Sequence, residues 1–250
     1  SYQMIFPCQM PQNISYQGYS TMTQSQNKYL NNQNYADNNQ IIQSQNFTNQ
    51  INSKNSTVQA VNDLNMYAKD TVLDSNSAIA YTNVSFIDSN NPDKINNVTV
   101  KNGTTFKNPT GITTIKTNGE IVVDNSNLQG RYADENATNQ KAINLESTQG
   151  NITVKNASYM TTTDGSITLK TDAQNKNITV TDSKLYANNG NEDFTATNNI
   201  AISNSHVWAK TGDVNLTAIN GKVTATNNSQ VSGEFGNTTI RQAQPINIPT

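Results

Sequence analysis

The chain has 250 residues, a formal net charge of −2, and only 33% hydrophobic and 14% charged residues, both below the globular norm. Asn (43 residues) and Thr (32 residues) fill the deficit. The 16 Lys and Arg are scattered, with Arg131 and Arg241 the two arginines; this excludes a basic stripe for nucleic acid, and no apolar run approaches the ~18–20 residues of a membrane-spanning helix.

Residues 1–60 hold 23 Asn and Gln, interleaved with Tyr, as in "YLNNQNYADNNQIIQSQNFTNQ". Lys28, Asp37 and Lys54 are their charged side chains. Such a segment is too polar for a core of its own, yet prone to β-pairing. It is expected to be a flexible or weakly ordered arm, an arm that gains order against a neighbouring subunit or the body, or a small independent fold. It carries the single cysteine, Cys8, which has no intrachain partner and reads as a free or modified thiol or an intermolecular link. Residues 61–94 read as a transition or cap. There "VNDLNMYAKD" suits a short helix or cap, and "SAIAYTNVSFIDS" alternates like a strand.

From about residue 95 one phrase recurs: "VTVKNGTTF" at Val98, "IVVDNSNLQ" at Ile121, "ITVKNASYM" at Ile152, "ITVTDSKLY" at Ile178, "IAISNSHVW" at Ile200 and "VTATNNSQV" at Val223. The starts lie 23, 31, 26, 22 and 23 residues apart. Each copy is apolar-x-apolar-x-Asn/Asp, a small residue, then usually another apolar one. Period two marks strands, and Ile, Val and Thr suit a pleated surface. Asn and Asp tolerate the left-handed backbone of tight corners. A hairpin sandwich would not repeat one phrase at this spacing. A parallel β-helix of about six coils over residues 95–240 would, because each coil buries its face only against its neighbours. At the strand spacing, six coils make a rod ~30 Å long. Asn102, Asn125, Asn156, Asp182, Asn204 and Asn227 are expected to stack at one corner and hydrogen-bond along the axis. The 31-residue interval holds "GRYADENATNQKA", expected as an excursion. One extra residue between Val223 and Val231 predicts a bulged last corner. Residues 241–250, with two prolines in "RQAQPINIPT", read as a tail leaving the sheet.

"GNITVKNAS", "GSITLKTD", "KNITVTDSK" and "GDVNLTAINGKVTATNNS" resemble the coil repeats of filamentous-haemagglutinin-like bacterial surface adhesins and exoproteins. The resemblance covers about residues 95–240. It implies a right-handed coil, secretion, and a role as adhesin, matrix component or stalk.

Chemistry is sparse. Most acids sit in or beside turns, where Asp is a normal turn former. Asp134–Glu135 and Glu192–Asp193 are the adjacent pairs, each read as a solvated loop or as a metal or catalytic pair. His206 is the single histidine and is expected to face solvent; zinc sites and His-based triads need partners it lacks. Met160, Tyr186 and Trp208 fall near equivalent positions. They form a possible contact surface: a sugar platform, a packing face for a neighbouring rod or the arm, or plain exposure. Thr-x-Thr stretches at Thr161, Thr179, Thr195 and Thr224 miss a common rung, which disfavours a flat ice-binding array. Catalytic, metal and cofactor residues are therefore expected to be none.

Together these features predict a non-enzymatic extracellular protein of the bacterial cell surface, self-associating into a filament or biofilm fibre through its ends and arm. Glycans or neighbouring cell surfaces are possible further partners. The alternative is a carbohydrate-binding or carbohydrate-cleaving β-helix of the tailspike or polysaccharide-lyase kind.

Overall fold

A computed structural model describes residues 3–4, 14–17, 20–23, 28–31, 39–43, 50–55, 57–59, 63–67, 70–79, 83–86, 95–132 and 136–243. The chain is a parallel β-solenoid of about seven turns. Each coil contributes one strand to each of three sheets, and corresponding strands stack in parallel.

The first sheet carries the repeated phrase: Asn97–Lys101, Ile121–Asp124, Ile152–Lys155, Ile178–Thr181, Ile200–Ser203 and Val223–Thr226. The second sheet follows the corner: Thr105–Lys107, Asn127–Gly130, Tyr159–Asp164, Lys184–Asn189, His206–Ala209 and Gln230–Gly233. The third closes the coil: Thr113–Thr117, Lys141–Ser147, Ser166–Thr171, Glu192–Ala196, Val214–Ala218 and Thr238–Gln242. These third-sheet strands are the weaker alternations between the copies, such as "GSITLKT" and "GDVNLTA".

The ladders run upstream of residue 95. Asp70–Asp74 pairs with Asn97–Lys101, Ser77–Ile79 with Thr105–Lys107, and Val84–Phe86 with Thr113–Thr117. Asp63–Tyr67, where a short helix or cap is the sequence expectation, is a strand paired with Val84–Phe86. Earlier still, Asn39–Gln43 joins the third sheet and Gln50–Lys54 the first. Gln3–Met4, Ser20–Thr23 and Lys28–Asn31 form a small antiparallel sheet. The rest of the expected arm, Cys8 included, lies outside the described residues. At the other end Arg241 and Gln242, placed by sequence in the tail, extend a third-sheet strand.

The interior is one continuous apolar stack. Ile121, Ile152, Ile178 and Ile200 lie in register with no exposure. Phe86 and Phe106 fill the wider upstream coils with stacked rings 5.8 Å apart. Each interior side chain needs partners only one coil above and one below, so a modest apolar fraction builds a full core.

The outer faces differ in chemistry. The first sheet presents small side chains at its middle register: Thr99, Val122, Thr153, Thr179, Ala201 and Thr224. The third sheet aligns Lys116, Glu146 and Lys170. The second sheet carries the aromatics.

Candidate functional site: corner ladders and an aromatic face

All six corner residues named from sequence adopt the left-handed backbone: Asn102 (φ 56°), Asn125 (48°), Asn156 (57°), Asp182 (52°), Asn204 (46°) and Asn227 (53°). That conformation costs most side chains about 1–2 kcal/mol, and Asn and Asp least. Asn228 (φ 62°) is the extra residue expected at the last corner, and Gly103 (79°) and Ala157 (61°) widen two further corners in the same way. Upstream, Asn55 (50°) and Ser75 (57°) are left-handed too.

The expected side-chain stacking is only partly direct. Asn204 Nδ2 donates to Asp182 Oδ1 of the preceding corner at 2.8 Å. Asn102, Asn156 and Asn227 reach instead to the residue before the preceding corner: Asp74 Oδ1 at 2.9 Å, Asp124 Oδ1 at 2.8 Å and Ser203 Oγ at 2.9 Å. The bond from Asn102 is the main reason the Asp74 carboxyl sits below its ordinary range.

Two ladders that the sequence reading passed over are more regular. Just inside the corner, a buried hydroxyl column runs through Ser126, Ser158, Ser183, Ser205 and, half-buried, Ser229. Ser183 Oγ donates to the Thr181 carbonyl at 2.8 Å and accepts the Ser158 N–H at 3.2 Å. Ser205 Oγ donates to the Ser203 carbonyl at 2.8 Å and accepts the Ser183 N–H at 3.0 Å. Ser158 and Ser229 accept from the coils before them in the same way, at 3.1 and 3.2 Å. Each hydroxyl satisfies two backbone groups that would otherwise be buried without a partner.

The second ladder stands where the third sheet returns to the first. Side-chain oxygens of Asp70, Asn97, Glu120, Asn151, Asn177 and Asn199 each accept the backbone N–H of the equivalent residue one coil on, at 3.1, 2.7, 2.6, 2.8, 3.0 and 2.9 Å. The true asparagine ladder is thus the residue before the repeated phrase. The signal was present: Asn stands there in four of the six copies.

Between the second and third sheets the corner is irregular. The excursion leaves at Arg131, makes a short 3-10 turn at Ala137–Asn139, and rejoins at Lys141. Arg131 Nε is 2.9 Å from Asp164 Oδ2, and Asn191 Nδ2 donates to Asn139 Oδ1 at 2.9 Å. Gly190 is fixed by crowding here: a Cβ on it would lie 2.0 Å from the Gly165 carbonyl oxygen.

The acid pairs separate. Asp134–Glu135 lies outside the described residues. Glu192 and Asp193 occupy a strand rather than a solvated loop, and alternation sends them to opposite faces. Glu192 is fully buried between Ile167 and Val214 in register, and neither carboxyl oxygen has a hydrogen-bond partner among the described residues. Burial, reinforced by the Asp193 charge, pushes its carboxyl well above the usual range. Burial also raises Asp193, against a hydrogen bond from Asn215. Glu146 is raised by burial first and then by its hydrogen bond with Asp172.

Of the expected contact surface, Tyr186 and Trp208 meet on the outer face with ring centroids 4.6 Å apart. His206 lies half-buried on the same face, edge-on to Trp208 at 5.8 Å. Met160 does not join them. It is 0% exposed and pairs in register with Leu185. The extra residue Ala157 shifts its copy by one, and in a strand one residue of shift changes the face. Thr161 therefore stands in register with Tyr186, and Tyr159, 40% exposed, with Lys184.

No family model, curated protein or solved structure matches the chain.

Proposed function

We propose that the chain is a non-enzymatic structural and adhesive rod of a bacterial cell surface, extracellular and right-handed like the filamentous-haemagglutinin-like exoproteins its repeats resemble. The observation that supports this is the last described coil. Val223–Thr226, Gln230–Gly233 and Thr238–Gln242 pair with the coil before them and, among the described residues, with nothing beyond. Ile240 is 52% exposed, although its register partner Leu216 is 1% exposed, and Phe235 of the same coil is 74% exposed. A strand edge backed by apolar side chains accepts a further strand.

On this reading subunits join end to end into a surface filament or matrix fibre, with residues 1–60 strapping the joint. Negative-stain electron microscopy across a concentration series tests it. Filaments one rod wide are expected, shortened by Ile240→Asp; single rods at every concentration overturn it. Unchanged assembly after deletion of residues 1–60 removes the arm from the joint.

A second reading, a carbohydrate-binding β-helix, is favoured by the paired rings of Tyr186 and Trp208 on the second sheet.

A further inference from the structure

We infer that the face centred on Tyr186 and Trp208 is a platform for a neutral, extended polysaccharide whose pyranose rings lie flat on the aromatic rings. The inference rests on the carbohydrate-binding reading and gives it a site and a ligand class.

The strands hold the rings out by alternation. Tyr186 stands between the buried Leu185 and Ala187, and Trp208 between the buried Val207 and Ala209. The two residues are register partners in adjacent strands, so the sheet itself fixes their spacing. Tyr186 is further held by its hydroxyl, which donates to Asn188 Oδ1 at 3.1 Å. Trp208 is braced by the edge of His206, with the ring planes at 77°. Little side-chain freedom is left to lose when a ligand settles, which favours binding.

The surroundings select the ligand. In the adjoining register row stand Tyr159, Lys184, His206 and Gln230. Lys184 is the one fully charged side chain in that row; the others offer a phenol, an imidazole and an amide. A sugar ring has an apolar C–H face, whose hydrogens are drawn to the negative face of an aromatic ring, and a rim of hydroxyls. Rings flanked by neutral donors and acceptors match both. A strongly acidic glycan or a nucleic acid strand would need a denser array of cations. The platform is flat, so it fits a polymer lying along it, with several weak contacts adding, rather than a single sugar held in a pocket.

Trp208 is the single tryptophan of the chain, so its fluorescence reports on this face alone. The test titrates dispersed full-length protein with β-1,4-glucan, β-1,4-linked N-acetylglucosamine and α-1,4-glucan oligomers, following Trp208 emission and heat of binding in parallel. Saturable binding to at least one oligomer is expected, with a change in emission. By calorimetry it should weaken about tenfold or more in Trp208→Ala and Tyr186→Ala, and less in Trp208→Phe. Circular dichroism confirms that each variant is folded. Binding that survives both alanine substitutions overturns the platform and leaves the carbohydrate-binding reading standing. Absence of binding to every oligomer overturns both. A Trp208 emission shift with protein concentration alone, with rods seen side by side, also overturns the platform, because the face is then a rod-to-rod contact.

Discussion

The corner between the first and second sheets and the corner between the second and third solve one problem in two ways. The first stays within two or three residues in every described coil, always left-handed and always followed by a buried polar side chain. The second admits a ten-residue detour, Arg131–Gln140, closed by two side-chain contacts to later coils. It is followed by a shift of register between Lys141 and Ile143 and, two coils on, by the unpartnered Glu192. Regularity is enforced where a polar group inside the wall must be satisfied from the next coil. It relaxes where the turn faces water and the solvent can satisfy it.

Four substitutions probe this contrast. The largest effect is expected at Glu192, and its sign is favourable. Glu192→Leu removes a buried carboxyl without partners and should stabilise the protein by about 1–3 kcal/mol at neutral pH. The gain should depend on pH. In the folded state the raised carboxyl stays neutral above the ordinary glutamate pKa of about 4.3, while in the unfolded state it ionises there. The unfolded state then binds fewer protons, so the native protein loses stability as pH rises through that window. The melting-temperature gap between Glu192→Leu and the native protein should therefore widen from pH 4 to pH 8. A gap constant with pH would mean that the carboxyl is ionised or satisfied.

Next, Ser183→Ala leaves the Ser158 N–H and the Thr181 carbonyl without their hydroxyl. A loss of about 1–3 kcal/mol is expected by denaturant unfolding; a loss under about 0.5 kcal/mol would mean that the hydroxyl column is incidental. Asn204→Ala places an ordinary side chain at φ 46° and should cost about 1–2 kcal/mol, with most of it recovered by Asn204→Gly. Equal losses for Ala and Gly would assign the cost to the bond with Asp182 rather than to the backbone. The smallest effect is expected at the excursion, where Asn139→Ala should stay within about 0.5 kcal/mol. A loss as large as that at Ser183 would erase the distinction between the two corners.

The sequence carried the coil, its period and the left-handed corner, because one residue type answers one backbone need there. It hid the upstream coil for an equally local reason. In "TVLDSN" the inward positions are Thr71, 3% exposed, and Leu73, and Ser75 stands at the corner in place of Asn. The pattern is conserved in geometry and disguised in letters. Met160 was misplaced because counting from the strand start ignores whether a corner takes one residue or two. The ladder through Asn97, Asn151, Asn177 and Asn199 was visible as a recurrence. It was obscured by the abundance of Asn, against which four matching positions look like chance. Glu192 could not be found by pattern, since the strand alternation around it gives no sign that a carboxylate faces inward.

The parallel stacking has a mechanical consequence. Inter-coil backbone hydrogen bonds lie close to the rod axis, so a pull on the two ends loads them along their length, and each coil is held only by its neighbours. Failure under tension would begin at one end and travel coil by coil. Each detached coil of 22 residues, the offset from Ile178 to Ile200, releases up to ~75 Å of slack chain. A force trace would show a train of small, similar steps rather than one catastrophic rupture, and the rod would act as a shock absorber between whatever its ends hold.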